Sequence, residues 1–200
     1  MADHYYTEKP NVHSDKKQIT ETIGGRSLKF NVDRGVFSKG GLDFGTRLLI
    51  ESIKLPEVNG DIGDIGCGWG PIGISLALNY PDRRFVMVDI NDRAVSLTKE
   101  NAKLNGVDNV EVFQNNLLNG QEGRQFSAII TNPPIRAGKE VIYTLYEQAS
   151  SLLLPGGELW IVIQKKQGAP STIKKLEELS LEVETVEKSK GYFILKGKKC

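Results

Sequence analysis

Residues 61–79 place an apolar strand, a glycine-rich turn and a helix in immediate succession. Asp61–Ile65 is typical of a short strand, and three glycines fill the five-residue turn that follows. Pro71 then stands at the first helical position, where its missing N–H is tolerated. A strand that enters a helix through such a turn is half of a βαβ unit, which belongs to parallel sheets covered by helices. The chain is therefore expected to be an α/β protein.

The same alternation continues along the chain. Further strands are predicted over residues 84–89, 110–114, 126–131 and 158–163, and helices over residues 43–53, 92–105, 139–153 and 170–179, with Asp92 as an N-cap and a turn at residues 155–157. Two β-prone runs flank Gly24 and Gly25, and two more flank residues 188–191. These patterns predict a Rossmann-like, doubly wound, mostly parallel seven-stranded sheet with an N-terminal β-hairpin extension.

Composition limits what such a domain can be. The 26 basic and 25 acidic residues give a net charge of +1, so no overall field draws the chain to polyanions. The two cysteines can build neither a disulfide framework nor a zinc site, and we expect no metal and a cytoplasmic setting. No apolar run suits a membrane span or signal peptide. We expect one catalytic domain over residues 35–200, with residues 1–34 forming a loose arm and a hairpin packed on it; nothing in the sequence sets an oligomeric state.

Polar residues follow the predicted strands at the edge where such sheets bind ligands. Residues 68–73 match G-x-G-x-x-G, and Asp89 lies 21 residues after Gly68, which alone also fits a nicotinamide-dependent oxidoreductase. Asp64 argues against that class, because a carboxylate two residues before Gly66 repels a pyrophosphate. S-adenosylmethionine has a cationic sulfonium, an ammonium group and a ribose, but no phosphate. It therefore suits a ligand site with carboxylates at the strand ends better than a dinucleotide does. Cys67 and Trp69 are expected only to pack locally.

Asn132, Pro133 and Pro134 directly follow an apolar strand. The two prolines fix the backbone and remove two N–H donors, which leaves a rigid edge of carbonyl oxygens beside one side-chain amide. The Asn132 Oδ1 and the Pro133 carbonyl could each accept one N–H of a planar NH2 group. Such a grip aims the nitrogen lone pair at an electrophile, and alignment is the main help that a weakly nucleophilic amine can receive.

The motifs together resemble class I S-adenosylmethionine-dependent methyltransferases of the N-P-P subgroup. The resemblance is greatest to short members of the ribosomal RNA small subunit methyltransferase C family, which make N2-methylguanine in 16S ribosomal RNA. It rests on GVFSKGGLDFGTRLL at residues 35–49, DIGCGWGPIGI at 64–74, ENAKLNG at 100–106, NPPIRAGKE at 132–140 and GELWIVIQKKQGA at 157–169. It implies a cytoplasmic enzyme that acts on ribosomal RNA or a small-subunit assembly particle.

The resemblance also implies a role for individual residues. Asn132, Pro133 and Pro134 would bind the target amine. The cofactor pocket would be built by Phe37, Ser38, Asp64, Gly66, Gly68, Gly70, Asp89, Ile90, Asn116 and Leu117. In this scheme Asp89 holds the ribose hydroxyls, and Ile90, Asn116 and Leu117 surround the adenine.

Three positions depart from the family pattern. Asn116 stands where Asp is common, so its contact with the adenine amino group lacks charge assistance. Gly63 replaces an aliphatic residue in the first strand, which weakens that strand by about 0.5–1 kcal/mol relative to Ala. Ile135 stands where many N-P-P enzymes have Phe or Tyr to stack on a flipped base, although short members of this branch have N-P-P-I, and Phe37 could supply the aromatic face instead.

Four basic residues follow strand ends and are expected at the rim of the active site, namely Arg136, Lys139, Lys165 and Lys166. Ile135, Arg136, Lys165 and Lys166 are the predicted substrate contacts, with the cations binding phosphates of RNA. A solvated lysine-rich C-terminus explains the same charges. N6-adenine and glutamine-N5 methyltransferases remain alternatives within the class, and a non-catalytic RNA-binding module remains one outside it.

Overall fold

A seven-stranded sheet forms the centre of the chain. The computed structural model describes residues 7–38 and 40–200, so the first six residues of the predicted arm and Lys39 of the upstream motif lie outside the described residues. Across the sheet, its strands cover residues 110–114, 85–89, 61–65, 126–131, 153–164, 192–199 and 181–189 in that order. The first five are parallel, and the strand of residues 192–199 runs antiparallel to both of its neighbours. The predicted fold class is confirmed.

The strands and helices alternate as the sequence predicts. The strands are β1 (Lys17–Ile23), β2 (Arg26–Val32), β3 (Asp61–Ile65), β4 (Phe85–Asp89), β5 (Val110–Gln114), β6 (Phe126–Thr131), β7 (Leu153–Gln164), β8 (Leu181–Ser189) and β9 (Tyr192–Lys199). The α-helices are α1 (Phe44–Ser52), α2 (Pro71–Asn79), α3 (Asp92–Leu104), α4 (Lys139–Leu152) and α5 (Ala169–Glu178). Short 3-10 helices cover Ile135–Ala137 and Lys165–Gln167.

Two apolar layers cover the sheet, one on each face. One layer joins side chains of α1, α2 and α3 with those of the β1–β2 hairpin, and the other joins side chains of α4 and α5. Every residue of β6 is buried, as are Phe85, Val86, Met87 and Val88 of β4. Continuous apolar strands are thus buried on both sides, as expected for the parallel part of a doubly wound sheet.

The N-terminal hairpin packs on α3 through side-chain amides. The Asn101 Oδ1 accepts from the Asn31 N–H at 2.7 Å, and the Asn101 Nδ2 donates to the Asn31 carbonyl at 3.0 Å. The described part of the arm is not loose, because the Glu8 carbonyl accepts from the Asp92 N–H and the Val12 carbonyl accepts from the Arg93 guanidinium. These contacts hold residues 7–16 against the start of α3.

Three local details correct the sequence-based expectations. Asp92 is the first residue of α3 and not its N-cap, because the Asn91 side chain accepts from the N–H groups of Arg93 and Ala94. The predicted turn at residues 155–157 lies within β7, where the pairing with β6 is irregular. An aliphatic side chain at Gly63 would be expected to add packing, but the Phe126 ring already fills the space beside it, 3.2 Å from where a Cβ would stand.

Candidate active site

A cleft of about 710 Å³ opens at the carboxyl ends of β3, β4 and β6. Its walls come from the glycine turn after β3, the residues after β4, the Asn-Pro-Pro segment after β6 and the loop before α1. The cleft brings most of the predicted site residues together: Phe37, Ser38, Gly66, Gly68, Asp89, Ile90, Leu117, Asn132, Pro133, Pro134, Ile135 and Arg136. Its volume is in the range of small-molecule and cofactor pockets.

The glycines of the turn serve two purposes. Gly66 and Gly68 have positive φ angles of 77° and 60°, and a Cβ on either would meet no atom within 4 Å. The space beside them is therefore open for a ligand to approach the backbone. Gly70 and Gly73 serve packing: a Cβ on Gly70 would stand 2.7 Å from the Ile74 Cδ1, and one on Gly73 would stand 2.5 Å from the Met87 Cε.

Asp89 presents a preorganised carboxylate at the end of β4. Its Oδ2 accepts from the Gly68 N–H and its Oδ1 from the Asn91 N–H, both at 2.9 Å. Burial raises the pKa of Asp89, while the N–H groups of Asn91, Gly68 and Ile90 counteract that rise. Three backbone N–H groups thus stabilise the charged form of Asp89, and the carboxylate lines the cleft as an acceptor for a ligand.

Asp64 lies beneath the glycine turn and is not part of the cleft lining. Its side chain is fully buried, its Oδ2 accepts from the Gly73 N–H at 2.9 Å, and its Oδ1 has no hydrogen-bond partner. Burial raises the pKa of this carboxyl to about 7, and the charge of Asp89 adds to the rise. Asp64 therefore joins β3 to α2 from below the turn.

The loop before α1 is fastened to two sides of the cleft. The Asn91 Nδ2 donates to the Gly35 carbonyl at 2.8 Å, and the Trp69 Nε1 donates to the Phe37 carbonyl at 3.1 Å. Trp69 is buried against the Phe30 ring, so it packs locally as expected and also anchors this loop. The Phe37 side chain is 43% exposed and lines the cleft, so an aromatic ring is available for contact with a ligand there.

The Asn132 amide belongs to a hydrogen-bond network with α1. Its Nδ2 donates to the Thr46 Oγ1 at 2.9 Å, and the Thr46 hydroxyl donates to the Asp43 Oδ2 at 2.5 Å. Asp43 is the N-cap of α1, where its Oδ1 also accepts from the Thr46 N–H at 3.1 Å. All three residues line the cleft, so the upstream loop and the Asn-Pro-Pro segment meet there.

The two prolines after Asn132 are buried, and the residues after them turn outward. The Pro134 carbonyl accepts from the Ala137 N–H at 2.8 Å and is used by the short 3-10 helix that starts at Ile135. Ile135 is half-buried and packs on the core, whereas Arg136 is exposed at the edge of the cleft. The segment thus presents a rigid edge with an apolar side chain and a cation beside it.

Five of the predicted cofactor-binding and substrate-binding residues do not line the cleft: Asp64, Gly70, Asn116, Lys165 and Lys166. Lys139, which is expected at the rim, is exposed and does not line the cleft either. Asn115 takes the place expected for Asn116, which is exposed, because the Asn115 N–H is tied to the Asp89 carbonyl at 3.0 Å. Gln164 and Gln167 line the cleft on either side of the two lysines, which are exposed. The lysines therefore belong to the rim and not to the wall.

Several lining residues escaped the sequence argument, notably Asp43, Thr46, Asn91, Gln164 and Tyr192. In the sequence, Asp43 and Thr46 look like an ordinary N-cap and an ordinary helix residue. Gly45, which precedes Thr46, is a usable signal because glycine is unfavourable inside a helix. A Cβ on Gly45 would stand 2.6 Å from the Tyr192 ring, so glycine is what lets α1 approach β9. That contact depends on β9 following β7 in the sheet, which no local pattern encodes.

The cleft suits the cofactor expected from the sequence. Asp89 offers carboxylate oxygens as acceptors for ribose hydroxyls, and Gly66 and Gly68 leave room for the methionyl part to approach the backbone. Ile90 and Leu117 supply apolar surface at the far end, where an adenine ring would lie. Among the described residues no group of three or more His, Cys, Asp or Glu side chains could hold a metal ion.

A family model supports the same interpretation. The model described as "Methyltransferase small domain" matches residues 27–196. A Bacillus subtilis relative, "Uncharacterized protein YbxB", is 53% identical over the full length of both chains. Ribosomal RNA small subunit methyltransferase C of Escherichia coli strain UMN026 is 34% identical over 159 residues, which cover 78% of this chain and 45% of that protein. This chain thus spans less than half of that relative.

Solved structures agree on the fold. The T. thermophilus 16S rRNA N2 G1207 methyltransferase (RsmC), in complex with AdoMet and guanosine, superposes with a TM-score of 0.80 at 22% identity, over 96% of this chain and 52% of that one. A ribosomal protein L11 methylase of Lactobacillus delbrueckii gives a TM-score of 0.65 at 23% identity, over 78% and 77%. On the match over residues 27–196, the chain belongs to the methyltransferase small domain family.

Proposed function

We propose that this chain transfers a methyl group from S-adenosylmethionine to the exocyclic N2 of a guanine in 16S ribosomal RNA. Methyl transfer from S-adenosylmethionine follows from membership of the family. The two alternatives from other classes, an oxidoreductase and a non-catalytic RNA-binding module, do not agree with that membership. The observation that carries the guanine proposal is that one cleft contains both the Asp89 carboxylate and the Asn132-Pro133-Pro134 edge. Relatives named for 16S ribosomal RNA support the choice of substrate.

Each residue of the cleft has a role in this proposal. When bound, S-adenosylmethionine supplies an electrophilic methyl group on its sulfonium. Asp89 accepts from the ribose hydroxyls and fixes that end of the cleft. The Asn132 Oδ1 and the Pro133 carbonyl each accept one N–H of the target amine, because the Pro134 carbonyl is already used by Ala137. Holding both hydrogens aims the nitrogen lone pair along one direction, and this alignment lowers the barrier.

Aromatic and aliphatic side chains frame the place of the base. Phe37 is exposed on one side of the cleft and Ile135 is half-buried on the other. An aliphatic residue at position 135 departs from adenine-N6 and glutamine-N5 methyltransferases, in which an aromatic residue stacks on the target. We therefore favour guanine N2 as the methyl acceptor, and a base inside a helix would have to be flipped out or presented before the RNA is fully paired.

Exposed cations surround the mouth of the cleft. Arg136 lies at its edge, and Lys165 and Lys166 follow Gln164, which lines it. The ion pairs formed within the described ranges 7–38 and 40–200 include none of these three cations, so their charges remain available for phosphates. Other lysines of the C-terminal part are partly neutralised, as Lys196 is by Glu184. We therefore assign these three rim cations, and not the other lysines of the C-terminal part, to contacts with RNA. The reaction would take place in the cytoplasm.

The test is transfer of tritiated methyl groups to small ribosomal subunits from a strain that lacks this gene, with the labelled nucleoside identified by mass. We expect N2-methylguanosine, and no label with the Asn132→Ala variant even though it still binds S-adenosylhomocysteine. Asn119→Ala, an exposed asparagine outside the cleft, is the matched control. Label in adenosine or in protein, or full activity of Asn132→Ala, would contradict the proposal. Naked 16S RNA and assembled subunits, compared as substrates, show which form is used.

A further inference from the structure

Thr46 of α1 and Asp43, the N-cap of that helix, stand behind the amide that faces the target nitrogen. We propose that Thr46 and Asp43 are positioning residues that fix the orientation of the Asn132 amide, so that its Oδ1 and not its Nδ2 faces the substrate. The inference rests on the proposed function, in which Asn132 accepts a hydrogen bond from an amine. It explains how the protein keeps the Asn132 Oδ1, and not the Nδ2, turned toward that amine.

The contacts form one continuous path from the start of α1 to the end of β6. The Asn132 Nδ2 lies 2.9 Å from the Thr46 Oγ1, which lies 2.5 Å from the Asp43 Oδ2. Thr46 is only 3% exposed, so water does not compete for its hydroxyl. The path crosses 86 positions of sequence between Thr46 and Asn132, and only the fold brings its ends together.

Hydrogen-bond chemistry sets the direction of this path. A carboxylate only accepts, and a threonine hydroxyl has one proton. The Thr46 proton therefore goes to Asp43, and the Thr46 oxygen is left as an acceptor. The Asn132 amide must then turn an N–H toward Thr46, which places its Oδ1 on the opposite side.

The reverse orientation would be unproductive. An Nδ2 that faced the target would set donor against donor, and the Asn132 N–H groups would lose Thr46 as their acceptor. The two orientations of an amide have nearly the same shape, so packing alone hardly separates them. The hydroxyl and the carboxylate behind it supply the chemical difference.

Asp43 has two separable tasks, because its Oδ1 caps α1 while its Oδ2 receives the Thr46 proton. Asparagine is as good an N-cap as aspartate. In Asp43→Asn the new Oδ1 can keep the cap, whereas the new NH2 group donates to the Thr46 oxygen. The Thr46 proton is then free to point at Asn132, which favours the inverted amide. This substitution thus reverses the path without removing the cap.

The experiment measures kcat for methyl transfer to small subunits with Asp43→Asn, Thr46→Val and Thr46→Ser. S-adenosylhomocysteine calorimetry and thermal melting monitor the cofactor site and the fold. We expect Asp43→Asn and Thr46→Val to lose at least tenfold in kcat with cofactor affinity within twofold, and Thr46→Ser to recover most of the loss. Ser52→Ala, which removes a hydroxyl at the other end of α1, is the control and keeps the wild-type kcat.

Wild-type kcat in Asp43→Asn and Thr46→Val would overturn the inference, as would a Thr46→Ser variant as impaired as Thr46→Val. A wild type that leaves guanosine unlabelled contradicts the proposed function instead. The amide orientation is then decided separately by nuclear magnetic resonance. The Asn132 side-chain N–H protons should show strong contacts to the Thr46 side chain in the wild type and weaker ones in Asp43→Asn, and unchanged contacts would overturn the inference.

Discussion

Removal of the Asp89 side chain should weaken the cofactor site more than any other single truncation in the cleft. The carboxylate is held by the N–H groups of Gly68 and Asn91, one on each oxygen, so it does not have to reorganise when a ligand arrives. Each of its two oxygens can accept from one hydroxyl of a ribose. Asp89→Ala removes these acceptors and leaves the backbone N–H groups that hold the carboxylate without their partner.

The size of the effect follows from these contacts. A hydrogen bond to a charged group contributes roughly 1.5–3 kcal/mol, so two of them amount to about 3–6 kcal/mol. Each 1.4 kcal/mol is a factor of ten in affinity, and we expect the Kd of S-adenosylhomocysteine to rise by roughly 10² to 10⁴. Isothermal titration calorimetry measures that change directly, since this ligand keeps the ribose and lacks the transferable methyl group.

Two further variants separate the contact from a general loss of fold or charge. Asp89→Asn keeps the size of the side chain and loses its charge, and we expect an intermediate Kd. Asp108→Asn removes an exposed carboxylate outside the cleft and should leave the Kd unchanged. A Kd for Asp89→Ala within threefold of the wild type, with an unchanged melting temperature, would refute the role that we give to Asp89.

Three other predictions concern stability and reactivity. The pKa of Asp64 is raised to about 7, so the stabilisation that this carboxyl provides is complete below about pH 4 and is lost as the pH rises through 7. The unfolding free energy, measured by urea titration relative to Asp64→Asn, should therefore fall by up to about 4 kcal/mol across that window. A difference between the two proteins that does not change with pH contradicts this prediction. Gly73→Ala should lower stability despite a helix-propensity gain of about 1 kcal/mol, since overpacking costs about 1–3 kcal/mol, whereas Gly123→Ala, with open space at its Cβ, should be tolerated. Burial raises the pKa of the Cys67 thiol, so a thiol reagent should modify only the exposed Cys200 in the native protein, and rapid labelling of both would count against that assignment.

The sequence by itself determined the layers of the fold and the two motifs of the cleft. Continuous apolar strands and the helices between them can be buried only in a doubly wound sheet, and such a sheet brings the ends of its parallel strands to one edge. Asp89 and Asn132 end two of those strands, so their convergence could be predicted from strand ends alone. The same logic placed Gly66 and Gly68 beside the ligand space, because a turn with φ above zero has few alternatives to glycine.

Other features depended on distances across the sheet. Asp64 is the last but one residue of β3 and Asp89 is the last residue of β4, yet Asp64 lies under the turn with Gly73 and only Asp89 enters the cleft. The difference is one of side-chain direction, since successive residues of a strand point to opposite faces and the turn decides which face is covered.

Only the tertiary structure joined α1 to the Asn132 amide. The sequence gives no sign that the Thr46 hydroxyl meets a side chain 86 positions away, because such a contact arises when two elements pack and leaves no periodicity in either of them. Local chemistry therefore determined which groups reach the edge of the sheet, and packing determined which of them touch.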